Sequence, residues 1–390
     1  MLEMSLTTTA KNTKIAFRGL IAFMIVYLLG AYFFMPSLKL AYRAIFPPKN
    51  PPNPIYGLLD PIQFTPKQVL NTTPPKYTLF TSTGKIPSDL PNKMTVYKYA
   101  KPSFSYEAGK RAGRDAADLG FPENALSTNL KGDEYGWMDP PTGASLRIEI
   151  DSFELELKTP VYSMAGIYTP GTINRTNAVA LAKGTLQKIN RFVDPLYAGG
   201  TQTVELGMVK NGRIAYTSFQ GEAEVARVDF FRKIGDFPMV GPSHKEGLIK
   251  IYVGSPRESK DNPQTILKHP YVYYNVREIE AQSAATYPII PVNTAWEEVA
   301  KGNGVISHVK PNDLSPFEDY RPVKLTEILI TDIFLAYYDD DEKQDYLQPI
   351  YVFEGNYIGT GSEKGNVSVY YPAVSGEWVK GTSTEESTTN

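Results

Sequence analysis

The hydrophobic positions of this chain begin with one long continuous block, and the later apolar segments are shorter and largely follow strand or helix spacing. The block starts at Gly19 and ends at Met35 (GLIAFMIVYLLGAYFFM). A helix of this length spans about 25 Å, and residues 15–17 extend it toward the ~30 Å thickness of a bilayer core. The block lacks a small-residue cleavage site. We therefore expect an uncleaved transmembrane anchor in contact with membrane lipid.

The segments beside this anchor predict its orientation. Three basic residues precede the anchor and three follow it, so charge alone does not fix the topology. A short N-terminal tail is easily retained, and a large domain translocates largely regardless of its charge, which favours a cytoplasmic N terminus. An amphipathic stretch that ends at Phe46 predicts a helix at the membrane interface. Residues 1–46 thus form a cytoplasmic tail, anchor and interfacial helix.

Proline and polar residues mark the two ends of the remaining chain. Between residues 47 and 75 proline recurs every few positions, which removes backbone donors and favours extended polyproline conformations. We expect a semi-rigid stalk there. Residues 381–390 (GTSTEESTTN) contain no apolar side chain and predict a disordered tail.

Strand and helix patterns alternate from residue 76 to residue 160. Period-two alternation predicts strands over residues 94–99, 135–138 and 145–157, with a phase shift at Asp151 that indicates a turn or bulge. Alanines at helical spacing predict a helix over residues 105–119, which Gly120 ends in a left-handed cap. The segment is expected to be a small α+β domain.

The same alternation returns in a larger α+β domain over residues 161–380. Helical spacing covers residues 177–190, and period-two strands follow at 203–209, 213–219 and 223–231. Thr294 and Glu297 have the spacing of a capping box, and that helix is expected to end at Gly302. Residues 327–337 and 346–353 predict a hairpin. The predicted fold class is α+β, with an N-terminal transmembrane helix followed by antiparallel sheets that carry helices on one face.

Composition narrows the functional classes. The chain has 390 residues, of which 42% are hydrophobic and 21% charged, enough for one or two domains with cores. The net charge of -2 and the lack of a basic window argue against nucleic acid as a partner. The absence of cysteine excludes disulfides, thiolate metal sites and cysteine nucleophiles.

Two segments resemble ligand-binding loops. The acidic loop that starts at Asp339 and ends at Asp345 would offer carboxylates to calcium, but Lys343 and Gln344 interrupt the order that a calcium loop needs. We interpret it as a solvated hairpin tip, with calcium binding left open. The glycine-rich residues 355–365 miss the phosphate-loop and dinucleotide patterns and are interpreted as a loop.

The remaining polar residues predict no chemistry. His244, His269 and His308 are scattered singly, without the paired spacing of metal ligands, and are interpreted as surface or packing residues. No serine-hydrolase motif occurs. The sequence therefore assigns no catalytic, cofactor-binding or metal-ligating residue, and no cofactor.

Charges alternate in sign along one predicted strand. Arg227 and Asp229 lie on one face, and Glu224 and Arg232 lie on the other. Such positions are typical of paired carboxylates in acid and base catalysis, but local ion pairs explain them without chemistry. We expect ion pairs.

Four segments of the second half resemble a known protein type. They are residues 177–190, EAEVARVDFFRKI at 222–234, YPIIPVNTAWEEVAKGNG at 287–304, and LTEILITDIFLAYY with YLQPIYVFEG within 325–355. They look like the extracytoplasmic module of the YycH/YycI type, single-pass accessory regulators of a cell-wall sensor kinase. The chain also resembles membrane-anchored proteins of candidate-phylum bacteria. The resemblance implies a fold and a placement and transfers no active site.

These patterns together predict a non-enzymatic, single-pass membrane protein of the bacterial cell envelope, with most of the chain extracytoplasmic. Its expected partner is another envelope protein, and homo-oligomerisation stays open. Two alternatives are an envelope hydrolase or glycan-active enzyme that uses carboxylates, and a structural subunit of a surface assembly.

Overall fold

The computed structural model describes residues 17, 20, 24, 27, 51–101, 106–122, 133–150, 152, 154–192, 201–257, 264–340 and 344–381. The interfacial helix and the C-terminal tail from residue 382 lie outside these residues, as does most of the anchor. Phe17, Leu20, Met24 and Tyr27 are helical and between 55% and 64% exposed. No helix within the described residues is long and apolar enough to cross a membrane.

The described elements are strands with few helices. The strands are β1 (Lys76–Leu79), β2 (Lys93–Tyr99), β3 (Glu134–Asp139), β4 (Ala144–Glu149), β5 (Leu155–Lys158), β6 (Gln202–Lys210), β7 (Arg213–Tyr216), β8 (Val225–Phe230), β9 (Arg232–Ile234), β10 (Phe237–Val240), β11 (Ile249–Gly254), β12 (Tyr271–Tyr274), β13 (Ile279–Pro288), β14 (Val305–Pro311), β15 (Leu325–Tyr338), β16 (Tyr346–Gly359) and β17 (Lys364–Pro372). The helices are α1 (Tyr106–Leu119), α2 (Arg175–Lys188), α3 (Gln264–Lys268) and α4 (Val292–Ala300). The fold is mixed α+β, with mostly antiparallel sheets.

The first sheet contains nine of the described strands and is organised around the long hairpin of β15 and β16. β17 joins the outer side of β16 and β14 joins β17, both antiparallel. β1 and β10 run parallel to β15 at different heights along it, and β2 pairs with the start of β16. Apolar clusters cover both faces of the β15–β17 region, and α4 contributes Ala295 and Val299 to one of them.

The second sheet has eight described strands in the order β3-β4-β5-β12-β11-β8-β6-β7, all antiparallel. Helices α1 and α2 pack on one face through the predicted small residues, among them Ala112, Ala116 and Ala182. Small side chains let the helix backbones approach the sheet. Because side chains alternate between faces, the opposite face carries polar residues such as Arg227 and Asp229, beside an apolar cluster that includes Val225 and Tyr168. We call it the polar face.

Local sequence explains the helix ends. Gly120 has a φ of +102°, and the Phe121 amide bonds back to the Ala116 carbonyl at 2.9 Å, so the predicted left-handed cap is confirmed. Asn174 and Asn177 form a capping box at the start of α2. The predicted box at Thr294 is wrong, because α4 begins at Val292 after Pro291, and no side chain caps it.

Two local expectations can be compared with the structure. Within residues 145–157 the structure has two antiparallel strands, β4 and β5, so the interruption of the strand that the phase shift indicated is confirmed. The glycine-rich residues 355–365 belong largely to β16, β17 and the tight turn between them. Gly355 is required by close packing, since a Cβ there would lie 1.9 Å from the Leu329 carbonyl oxygen.

The proline-rich segment differs from the expected free stalk. From residue 54 onward the chain belongs to one compact unit, while residues 1–53 form another. We call residues 54–75 the strap. Its Lys67 amide bonds to the Ile306 carbonyl at 2.8 Å, and the Asn71 side chain exchanges two hydrogen bonds with the Leu325 backbone. Proline removes donors, but enough amides remain to fasten the strap to the sheet.

The start and end of the described body lie side by side. Leu59 forms a parallel bridge with Val379, and the Lys380 amide bonds to the Leu59 carbonyl at 2.8 Å. The Lys380 ammonium also lies 2.8 Å from an Asp60 carboxylate oxygen. The two predicted domains are likewise interleaved, because β1 pairs with β15 and β5 pairs with β12.

Candidate functional site

A pocket of about 320 Å³ lies between the polar face of the second sheet and the β14 side of the first. Strands β6, β8 and β11 supply one wall. The other wall comes from β14, the loop that follows it, and Lys67 of the strap. The pocket therefore depends on both sheets and on the strap together.

Arg227 and Asp229 form the rigid wall of this pocket. Ala226, Val228 and Phe230 enter the core below the helices, so the alternating residues Arg227 and Asp229 lie on the opposite face. Two hydrogen bonds of 2.7 and 2.9 Å join the guanidinium to the carboxylate. Burial alone would lower the pKa of Arg227, but the Asp229 contacts raise it.

Further contacts fix this pair in place. Arg227 also donates to the Pro316 carbonyl at 2.8 Å, and the Gly247 amide donates to Asp229 at 3.0 Å. The expected ion pair between these residues is thus confirmed. The pairing expected between Glu224 and Arg232 is wrong: Glu224 accepts from the Val209 amide, and Arg232 lies in β9 of the other sheet.

Glu246 carries a permanent negative charge in the pocket. Burial would raise the pKa of this carboxyl, but Lys250 and Arg227, with a further contribution from Lys67, lower it to about 2. The Lys250 ammonium lies 2.9 Å from a Glu246 oxygen, while the Arg227 guanidinium is 3.7 Å away. Glu246 is therefore ionised at neutral pH and already has cations around it.

His308 is the buried group of the pocket whose hydrogen bonding is incomplete. Its side chain lies on β14, and the residue is 3% exposed. Ser243 Oγ lies 2.6 Å from Nδ1, while Nε2 is buried and has no hydrogen-bond partner among the described residues. Burial and the nearby His244 lower the pKa of His308 to about 3, so the ring is neutral at physiological pH.

A second serine–histidine pair lies beside the first. His244 Nδ1 is 2.8 Å from Ser368 Oγ, and its Nε2 is 3.1 Å from a Glu354 oxygen. Burial lowers the pKa of His244. The rings of His244 and His308 are 5.8 Å apart. The folded chain thus brings together two histidines that were interpreted as isolated residues.

One set of connected side chains has the residue types of a hydrolase triad: Ser368, His244 and Glu354. Its position differs from that of a catalytic triad. Ser368 is fully buried, so no substrate carbonyl reaches its hydroxyl. Glu354 is also held by Lys245, and the close contacts with His244 and Lys245 lower the pKa of Glu354 to about 2. We interpret this set of side chains as a polar support beneath the pocket.

Four charged groups of the pocket wall form no ion pair within the described residues. They are Lys67, Lys310, Glu205 and Asp319. Lys67 is half-buried, and its ammonium lies 4.6 Å from the centre of the Tyr320 ring. The other charges of the wall, such as Glu318 beside Arg213 at 3.8 Å, have protein partners.

The acidic loop forms a separate cluster, and its predicted solvation is wrong for its first two residues. Asp339 and Asp340 are each 1% exposed. Asp339 bonds to Arg232 and to the Tyr99 hydroxyl at 2.7 Å, and an Arg277 nitrogen is 3.5 Å away. Arginine partners from distant strands occupy these carboxylates, which leaves no calcium-like arrangement in the part of the loop that is described.

No group of three or more possible metal ligands occurs among the residues that the structure describes. His269, the third histidine, is 6% exposed, and its Nε2 lies 3.1 Å from the Leu119 carbonyl. It belongs to the core beneath α1 and not to the pocket. This position matches its interpretation as a packing residue.

Comparison with known proteins assigns no function to the chain, so the functional argument rests on the geometry of the site. No family model and no curated protein matches the chain. A solved structure of an uncharacterized protein from Eubacterium rectale shows 11% identity and a TM-score of 0.43, and the match covers 73% of this chain and 85% of that chain. A likeness this distant supports no statement about function. The resemblance to the YycH/YycI type stays a prediction.

Sequence reasoning missed the pocket because its walls are distant along the chain. One signal was present: both pocket-side histidines directly follow a serine, at Ser243-His244 and Ser307-His308. Two such dipeptides in a chain with three histidines mark a candidate polar pair. The pattern alone does not show that they meet.

Proposed function

We propose that this protein is a membrane-tethered binding protein of the cell envelope, which holds a small polar ligand in the pocket between its two sheets. The observation that carries the proposal is His308, a residue of the pocket lining whose buried Nε2 has no hydrogen-bond partner among the described residues. A buried polar atom left without a partner costs about 1–3 kcal/mol. A ligand that completes its hydrogen bonding recovers this free energy.

The size and lining of the pocket support a small ligand. Its volume of about 320 Å³ lies at the lower end of the ~300–1,000 Å³ that is typical of small-molecule sites. Charged and hydroxyl groups converge on it, with Tyr252 and Phe317 as an aromatic edge whose ring centres are 5.6 Å apart. This combination favours a compact, polar molecule.

The state of the carboxylates favours binding over catalysis. A general acid at neutral pH needs a raised pKa, whereas the pKa of Glu246 is about 2. Both oxygens of Asp229 accept from Arg227, which holds them away from a substrate. The hydrolase alternative therefore has weaker support than binding.

The tether rests on the sequence and on four described residues. The apolar block from Gly19 to Met35 has the length of a membrane span. Phe17, Leu20, Met24 and Tyr27 are helical with large apolar surfaces exposed, a state that lipid stabilises. A tethered receptor would pass its bound state to an envelope protein partner, in keeping with the regulatory type that the chain resembles.

Thermal unfolding of the full chain in lipid nanodiscs tests the binding function. The panel should contain amino acids, short peptides, sugars, organic acids and nucleotides. Since a ligand of the folded state stabilises by about 2.7 kcal/mol at a hundredfold excess over Kd, at least one class should raise the Tm. His308→Leu should abolish that rise, while the exposed Lys76→Gln should preserve it. A panel without any stabilising class would overturn the proposal.

Placement is tested by protease digestion of intact cells. Residues 54–381 should be degraded from outside, whereas a protected body would contradict the extracytoplasmic assignment. Permeabilised cells supply the control for intrinsic protease resistance.

A further inference from the structure

We propose that the pocket binds a small zwitterion, with its carboxylate between Lys67 and His308 and its ammonium group against Glu205 and Asp319. This inference rests on the proposed binding function and names its ligand class. The hydrogen bonds of His308 and the wall charges without ion pairs among the described residues point to this class.

His308 presents a donor to the pocket. The Ser243 hydroxyl is buried and needs an acceptor, and His308 Nδ1, at 2.6 Å, is the one that the described residues provide. In a neutral imidazole, an accepting Nδ1 leaves the proton on Nε2. The buried Nε2–H therefore requires an acceptor, and a carboxylate oxygen supplies a strong one.

Lys67 supplies the positive charge beside this donor. It lies close enough to Glu246 and to His308 to contribute to lowering the pKa of each. Its ammonium contacts the Tyr320 ring but forms no ion pair within the described residues. Lys310, two residues after His308 on β14, adds a second cation to the same wall. An anionic group is thus favoured on this side.

The acidic residues come from both walls of the pocket. Glu205 lies on β6 of the second sheet, in register with Arg227. Asp319 belongs to the loop after β14, which reaches the second sheet through the Pro316 contact with Arg227 and the Phe317 contact with Tyr252. Neither carboxylate has an ion-pair partner among the described residues. A cationic group of the ligand is favoured here.

The balance of these groups selects the ligand class. Two cations and two anions of the wall form no ion pair within the described residues, and the half-buried Glu205 would have no partner in a complex with a purely anionic ligand. A purely cationic ligand would leave Lys67 and the His308 donor unmatched in the same way. A zwitterion of the size of an amino acid or a dipeptide satisfies both walls and bridges the two sheets.

A matched set of probes tests the charges one at a time. Calorimetry on the full chain in nanodiscs would compare alanine and alanyl-alanine with the N-acetyl dipeptide, the dipeptide amide and the uncharged cyclic dipeptide. We expect the zwitterions to bind and each singly capped form to bind about 10- to 100-fold more weakly, the usual effect of losing a charged hydrogen bond. The cyclic form should bind weakest.

Two variants test which pocket residue contacts each charge of the ligand. In Lys67→Gln, the amide and the free dipeptide should differ much less in affinity than in the native protein, because the carboxylate has lost its cation. In Glu205→Gln, the same should hold for the N-acetyl form. Lys85→Gln and Glu107→Gln, which change exposed residues outside the pocket, should leave all affinities unchanged.

The outcomes separate this inference from the proposed function. Equal binding of the N-acetyl and free dipeptides would overturn the zwitterion, and so would binding of a sugar or nucleotide in the absence of any zwitterion. Either result would leave the binding function standing. Loss of affinity in Lys67→Gln that is equal for every probe would also contradict the inference. Failure of every class of ligand would overturn both.

Discussion

Two buried polar clusters in this protein differ in how their charged groups are compensated. Around Asp339, two arginines and a tyrosine hydroxyl surround one carboxylate, and the residues are almost fully enclosed. Around His308, the hydrogen bonding stops at one ring nitrogen, and Lys67 beside it lacks an ion pair within the described residues. The Asp339 carboxylate is compensated by two protein cations, although Arg277 Nε beside it also lacks a hydrogen-bond partner among the described residues, whereas the cation beside His308 has no ion pair there.

This difference indicates which buried charges stabilise the fold and which are available to bind a ligand. The cluster around Asp339 connects β2, β9 and the end of β15. Removing its ion pairs should therefore lower the free energy of unfolding. The cluster around His308 should contribute less to the free energy of unfolding, because some of its groups are left to bind a ligand. Variants that remove one group at a time should separate the two roles.

The largest effect is expected for Asp339→Ala. Removing this carboxylate leaves the buried Arg232 and the nearby Arg277 without their anion, and breaking a buried pair costs about 3–5 kcal/mol of unfolding free energy. Urea denaturation of the full chain measures it. Asp345→Ala is the matched control, since this exposed residue of the same acidic segment should change stability by under about 0.5 kcal/mol. A cost below about 1 kcal/mol for Asp339→Ala would mean that the arginines are solvated.

His308 should make stability depend on pH. Its folded pKa of about 3 lies below the ordinary 6.5, so protons bind the unfolded chain first. The contribution is therefore fully present above pH 6.5 and is lost as the pH falls toward 3, at about 1.4 kcal/mol per pH unit, or about 2 kcal/mol by pH 5. His308→Gln should remove that slope from denaturation curves.

His269 supplies the comparison for this slope. Burial lowers the pKa of His269 to about 4, so it adds a slope of the same sign between pH 6.5 and 4. His269→Gln should keep the His308 contribution below pH 4. An unchanged slope in His308→Gln over the whole range would show that the ring titrates as in the unfolded chain.

A smaller effect is expected for Ser243→Ala. The change removes the 2.6 Å contact to His308 Nδ1 and should lower the unfolding free energy by about 1 kcal/mol. Chemical denaturation with Ser255→Ala, an exposed serine, as control measures the difference. If Ser243→Ala were neutral, the argument for a proton on His308 Nε2 would lose its support.

The smallest effect is expected for Lys67→Gln. Because Lys67 forms no ion pair within the described residues, its loss should change the unfolding free energy by under about 0.5 kcal/mol. The same denaturation series measures it beside Lys76→Gln. A loss above about 1.5 kcal/mol would show that Lys67 stabilises the fold, as the residues around Asp339 do, and would contradict its role in ligand binding.

Local features of the fold were predictable from the sequence, and the clusters were not. Period-two alternation placed Arg227 and Asp229 on one face of β8, and Gly120 was recognised as a helix cap because only short-range geometry decides it. The burial of Asp339 depends on Arg232 and Arg277, which are more than 60 residues away in sequence. A local acidic pattern resembles a solvated loop until those partners are known.

The pocket was beyond prediction for the same reason. Ser243 and His308 are 65 residues apart, and Lys67 reaches them only because the strap packs on β14. Proline density predicted a free stalk and gave no sign that the segment docks, since the amides that bond lie between the prolines. Long-range contacts of this kind leave no periodic trace.

The bridge between Leu59 and Val379 brings the first and last residues of the described body next to each other. Domains whose ends adjoin tolerate being cut open elsewhere and rejoined at the old ends. A short linker from residue 381 to residue 54 would therefore free the pocket-bearing body from its membrane segment, with new termini placed in an exposed turn such as the one at Gly212 between β6 and β7. Such a rearranged chain would carry the binding site in a form that can be engineered apart from lipid.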